Sequence, residues 1–177
     1  IPQQVPNIYD AVGIAAGFNH TLVLLRTGRV MSFGDNSFGQ LGRYTDSASS
    51  SIPHFVSDLE NIVQVGAGSE MSYALTSTGA LYAFGANDEG QLGLGALDEA
   101  PHINPVMVNL ERVQQIAATN RTALALMSDG SVMAWGQNHK GQAGVGMDAD
   151  QILIPTRVLT NVDALSGVNS VFGDGFV

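Results

Sequence analysis

Three nine-residue stretches of this chain repeat one pattern: GDNSFGQLG (Gly34 to Gly42), GANDEGQLG (Gly85 to Gly93) and GQNHKGQAG (Gly136 to Gly144), each 51 residues from the last. The dipeptides Thr27-Gly28, Thr78-Gly79 and Asp129-Gly130 keep the same step, as do Ile14, Val65 and Ile116. A fixed period of about 50 residues implies a stack of small units, since one unit of that size cannot bury its apolar face alone. The repeat also bears on function. A catalytic site is an asymmetric constellation, so residues recurring three times in register read as architecture.

Each unit reads as four short strands. One opens on proline, at Pro2, Pro53, Pro105 and Pro155, where the missing amide donor suits a strand entry or a sheet edge. The others run over Val12–Ala16, Thr21–Leu25 and Arg29–Phe33 in the first unit, with counterparts in the next two. The last two are joined by a dipeptide ending in glycine, a tight-hairpin signal. Leu22, Val23, Leu24 and Leu25 are apolar on both faces, as in a sheet covered on both sides. Ser32, Ala83 and Ala134, each followed by a large ring (Phe33, Phe84, Trp135), suggest close sheet stacking with one ring in each gap. The fold class is all-β: a partial β-propeller of about three four-stranded antiparallel blades plus an incomplete fourth. The repeats are drawn as 1–51, 52–102 and 103–153, with the incomplete one at 154–177, in a single domain over 1–177.

The glutamine loops carry the strictest punctuation. Gly34, Gly39, Gly85, Gly90, Gly136 and Gly141 shape the turns, and Asn36, Asn87 and Asn138 are placed to bond nearby backbone as Asx turns do. Gln40, Gln91 and Gln142 have both a donor and an acceptor, so each is expected to tie its loop to the next unit. A phosphate-cradling glycine loop needs a helix after it, and no helical period follows any of these.

Composition narrows the field further. With 45% apolar residues in 177, a core is available, and no apolar run approaches the roughly 20 residues of a membrane helix. The absence of Cys excludes disulfides and thiol chemistry but leaves the compartment open. Net charge is −9, Lys140 is the single lysine, and the six arginines are scattered. That balance argues against nucleic-acid or anionic-membrane partners. The start at Ile1 reads as an excerpt or a processed product.

With these motifs laid out, the chain resembles the regulator of chromosome condensation repeat family. The matching elements are Ile14-Ala15-Ala16-Gly17, then Gly17-Phe18-Asn19-His20-Thr21, the turn glycine, a strand ending in an aromatic residue and glycine, and Asn-x-x-Gly-Gln-Leu-Gly. The resemblance implies four-stranded blades in a seven-bladed ring, of which this chain supplies about half. Met71 and Thr122 stand where the family histidine is found, Thr119 replaces a glycine, and Ala143 replaces a leucine. An open stack leaves apolar blade faces exposed. A second copy, the rest of a longer chain, or another subunit is therefore expected to close the ring.

No motif calls for a cofactor, a metal or a catalytic group. The four histidines (His20, His54, His102, His139) lack ligand spacing, and Asp148-Ala149-Asp150 lacks the later ligands of a calcium loop. Asn19-His20-Thr21 and Asn120-Arg121-Thr122 fit the glycosylation pattern but sit at strand entries, where chance matches account for them. The residues that differ between units are the better candidates for recognition. Phe38 and Tyr44 are aromatic anchors, Asp88, Glu89, Asp98 and Glu99 an acidic flank, and His139 and Lys140 the tip of the third loop. The leading functional reading is a non-catalytic scaffold offering one rim to a protein partner. Guanine nucleotide exchange on a small GTPase, with its wedge in blades outside this segment, is the alternative; a secreted bacterial inhibitor or adhesin is a third.

Overall fold

The computed structural model describes residues 1–159 as twelve strands in three four-stranded antiparallel sheets, with no helix among them. Blade one holds β1 (Ala11–Ala16), β2 (His20–Leu25), β3 (Val30–Asp35) and β4 (Ser49–Phe55). Blade two holds β5 (Ile62–Ala67), β6 (Met71–Thr76), β7 (Leu81–Asn87) and β8 (Asp98–Met107). Blade three holds β9 (Val113–Ala118), β10 (Thr122–Met127), β11 (Val132–Gln137) and β12 (Gln151–Arg157). In each, the strands pair in chain order, with Leu22 opposite Ala15 on one side and Ser32 on the other.

The blades are phased differently from the repeats drawn on the sequence. Boundaries at 51, 102 and 153 each cut through an outer strand, because the proline-bearing segment closes the sheet before it rather than opening the next. The long loop after β3, β7 or β11 returns the chain antiparallel to the strand it has just left, so the nearest unpaired edge belongs to the preceding unit. Pro2–Val5, the counterpart of the proline-bearing segments of β4, β8 and β12, forms no strand. The incomplete repeat begins within β12, and its remainder from residue 160 lies outside the described residues.

The core lies between blades rather than within one. Leu22, Leu24, Val30 and Val56 of blade one meet Ile62, Val65, Ala74 and Phe84 of blade two; Tyr73, Leu81 and Leu92 of blade two meet Ile116, Ala123 and Trp135 beyond them. Each of the Val, Leu, Ile and Phe side chains contributes about 1.5–3 kcal/mol on burial, and the alanines less. The rings do fill gaps. An added Cβ on Gly42 would fall 2.7 Å from the Phe84 ring, and one on Gly93 would fall 3.0 Å from Trp135. Each ring therefore lies against the loop glycine of the preceding blade. Phe33 has no such loop before it in this chain and is only half buried.

At the inner edge, Gln64 bridges two blades. Its side chain accepts from the Ile116 amide at 3.0 Å and donates to the Ile116 carbonyl at 2.8 Å, so one amide stands in for a strand pairing.

Candidate interaction face

Antiparallel order puts the β1–β2, β5–β6 and β9–β10 turns at the same end of the molecule as the three glutamine loops. The Gly28, Gly79 and Gly130 hairpins and the inter-blade connections occupy the other end. Everything that varies most between repeats therefore collects on the loop face, including Phe38, Tyr44, Asp88, Glu89, Asp98, Glu99, His139 and Lys140.

Each loop is braced from within. Asn36, Asn87 and Asn138 are buried, and their Oδ1 atoms accept the amides of Leu41, Leu92 and Ala143 at 2.9, 3.1 and 3.0 Å. Their Nδ2 groups donate across the loop to the carbonyls of Arg43, Ala96 and Ala149. The glutamines differ from the expectation that they tie one unit to the next. Gln40, Gln91 and Gln142 each fold back so that Oε1 accepts the amide two residues earlier, at 2.9, 2.7 and 2.8 Å. A side chain bound to its own loop is spent there.

The main-chain carbonyl makes the link instead. Gln40 O accepts from the Ser72 hydroxyl at 2.8 Å, and Gln91 O accepts from Trp135 Nε1 at 3.0 Å and from the Tyr73 hydroxyl. His20 extends the first link, with Nε2 2.8 Å from Ser72 Oγ. It is almost fully buried, and burial pushes its pKa down to about 4, so the imidazole is neutral.

Among the described residues, Arg43 has no carboxylate partner. Its guanidinium donates to Ser32 Oγ and Ser32 O at 3.2 Å and to Ile52 O at 3.4 Å, spanning β3 and β4 where their register shifts. Burial alone lowers its pKa.

Charge is divided unevenly between the two ends. Of the carboxylates from Asp35 to Asp150, all but Asp58, Glu60, Glu111 and Asp129 lie on the loop face, nine groups against Arg43, Arg121 and Lys140. The turn face sets those four and Asp10 against Arg26, Arg29, Arg112 and Arg157, five against four.

The predicted contact residues meet different fates. Tyr44 is 75% exposed and Phe38 37%; Glu99 and Lys140 are also exposed. Asp98 is half buried, 3.1 Å from His102 and bonded to the Ala100 amide. Asp88 and Glu89, read as part of an acidic flank, are engaged within the chain. Arg121 sits between Glu70 at 2.8 Å and Asp88 at 2.6 Å. Glu89 receives Gln151 at 3.0 Å and Gln137 and His139 at 3.4 Å. Sequence reasoning missed Glu70, Arg121, Gln137, Asp150 and Gln151. One signal was present: Glu70 and Arg121 stand 51 apart with opposite charge, and stacking brings equal register positions of adjacent blades together.

Among the described residues, no three His, Asp or Glu side chains come together as a metal site. The chemistry on offer at this face is recognition by charge, aromatic surface and hydrogen bonding.

The sequence of the regulator of chromosome condensation (RCC1) repeat matches the chain three times, over residues 11–40, 62–91 and 113–142, and a second profile of that repeat matches over 27–75 and 78–126. The chain belongs to the regulator of chromosome condensation repeat family. It is 36% identical over 148 residues to the human probable E3 ubiquitin-protein ligase HERC6, which covers 81% of this chain and 14% of that protein. It is 33% identical to the Xenopus laevis regulator of chromosome condensation, covering 78% of this chain and 33% of that one. The crystal structure of Prp20p from Saccharomyces cerevisiae superposes with a TM-score of 0.78 at 25% identity, over 88% of this chain and 40% of that one. Human WBSCR16 gives 0.76 at 28% identity, over 86% and 40%. The chain thus spans a third or less of these two curated relatives, and the family propeller is its fold.

Proposed function

We infer that this chain is a non-catalytic interaction module, a run of propeller blades that presents its glutamine-loop face to a protein partner. One observation carries the reading: the residues that differ between otherwise repeated blades gather on one end, and that end holds most of the excess negative charge. Scaffold positions repeat and are buried, whereas Phe38, Tyr44, Glu99 and Lys140 do not repeat and are exposed. Solvent-exposed acids around aromatic side chains suit a basic protein surface, for which electrostatic complementarity speeds encounter and excludes wrong partners.

The blade faces are proposed to be covered in turn by further blades, from a longer chain, a second copy or another subunit. Ile14 is 76% exposed, while its counterparts Val65 and Ile116, each packed on a preceding blade, are 8% and 2% exposed. An added Cβ on Gly90 would touch Leu153 of the next blade, whereas one on Gly141 would meet open space.

Prp20p is described as binding Gsp1p and histones, which supplies two probes. Calorimetry of this chain against each, repeated with a Phe38→Ala, Tyr44→Ala, Glu99→Gln triple variant and with an Arg112→Gln control on the other end, tests the assignment. Binding weakened at least about tenfold by the triple variant alone supports the loop face; equal loss with Arg112→Gln refutes it. Nucleotide exchange is the second reading, prompted by the name of a further human relative, the X-linked retinitis pigmentosa GTPase regulator, 32% identical over 151 residues. It requires faster release of labelled nucleotide from a small GTPase at saturating protein, and an unchanged rate rejects it for this segment.

A further inference from the structure

His139 stands at the tip of blade three's glutamine loop, and both of its ring nitrogens face a carboxylate. Nε2 lies 3.4 Å from Glu89 Oε1 on the loop of blade two, and Nδ1 lies 3.3 Å from Asp150 Oδ1 at the far end of its own loop. A neutral imidazole carries one N–H and one lone pair, so in that form one carboxylate would face a lone pair. Only the imidazolium donates to both. We propose that a proton held on His139 is the pin that clips blade three's recognition loop to blade two's, so that the loop face is assembled below the titration of this side chain and loosened above it.

The surroundings favour that form. Glu89 is the hub: besides His139 it receives the Gln137 and Gln151 amides, both neutral, so among the described residues the imidazolium is the cation paired with it. The charged groups around His139 are Glu89 and Asp88 on blade two's loop, Arg121 on the β9–β10 turn, and Lys140, Asp148 and Asp150 on its own loop. Arg121 is already held by Glu70 and Asp88. The hydrogen bonds to Asp150 and then Glu89 raise the His139 pKa above the ordinary imidazole value of 6.5. A group whose pKa is raised on folding stabilises below that value and stops doing so as pH rises through the raised one. His102 offers an internal contrast, with a single carboxylate contact, Nε2 to Asp98 at 3.1 Å. The repeat equivalents of His139 are Ser37 and Asp88, so the pin belongs to one seam only.

Imidazole carbon–proton correlation spectra of the whole chain, recorded across pH, read all four histidines at once, and His139→Gln assigns the resonance by its loss. The expected result is a His139 midpoint above 6.5, lowered by Glu89→Gln and again by Asp150→Asn. The backbone amides of Glu89, Gly90 and Gln151 should titrate with the same midpoint in the parent chain and cease to do so in His139→Gln. A midpoint at or below 6.5 in the parent chain, or blade-two amides that do not follow it, overturns the proposal. Because the parent chain alone decides both readouts, a variant that fails to fold does not rescue it. The test needs no partner, so it stands or falls apart from the interaction reading.

Discussion

Replacing His20 by methionine should remove a pH dependence from the stability of this protein. The side chain lies between blades one and two, bonded through Nε2 to Ser72, while Nδ1 has no hydrogen-bond partner among the described residues. Burial first of all, opposed by the nearby charge of Asp35, places its pKa at about 4 against 6.5 in an open chain. Between these values the unfolded chain binds a proton that the folded one refuses. Stability is therefore full above pH 6.5, falls as pH drops, and levels off below about 4. At 1.36 kcal/mol per pH unit the loss is about 3 kcal/mol, a large share of the 5–15 kcal/mol typical of a domain. Met71 and Thr122 hold the equivalent positions, so methionine suits the site. Urea unfolding followed by the fluorescence of the single tryptophan, Trp135, at pH 7.5 and pH 4 gives the comparison, and carboxylate contributions cancel between parent and variant. The parent should lose about 3 kcal/mol more than His20→Met. Equal losses would refute the argument that burial keeps this imidazole neutral.

Three further outcomes follow from the packing. Gly93→Ala, at φ +69° with its Cβ 3.0 Å from Trp135, should cost about 2–4 kcal/mol, and Gly141→Ala, at φ +70° with open space around it, only about 1 kcal/mol, both read from urea midpoints. Arg43→Ala should cost about 2 kcal/mol by taking its donors from the Ser32 hydroxyl and carbonyl, while the Ile52 carbonyl keeps the Ser50 hydroxyl, and Arg43→Leu, the residue found at position 94, should recover part of that in the same assay. Gln64→Ala should cost about 1–2 kcal/mol and speed hydrogen exchange at the Ile116 amide, which loses its acceptor.

The period was legible because it is a property of the chain alone. Turn glycines, alternating apolar positions and the small-then-aromatic pairs each follow from local geometry, and they placed nine of the twelve strands to within three residues at either end. The grouping of those strands into blades was not legible. A proline strand looks the same whether it opens one sheet or closes the one before, and only the free edge of β3, β7 or β11 decides between them. The glutamines misled for a similar reason: an amide can bond its own loop or the next blade, and the short reach back to the amide two residues earlier wins.

The candidate face divides the same way. That Phe38, Tyr44, Glu99 and Lys140 belong to non-repeating loops is written in the sequence, and antiparallel strand order then puts those loops at one end. Which acids remain free is a question of distance. Asp88 and Glu89 read as part of an acidic flank, and stacking sets Arg121 and His139 beside them.

By itself, then, the sequence determined the unit, its strands, its turns and the family, since these depend on residues close along the chain. The tertiary structure decided the blade phase, the buried links between Gln40, Ser72 and His20, and the ion pairs across the second seam. Those rest on residues about 30 to 60 apart whose meeting depends on how one sheet lies on the next, and no local pattern records that angle.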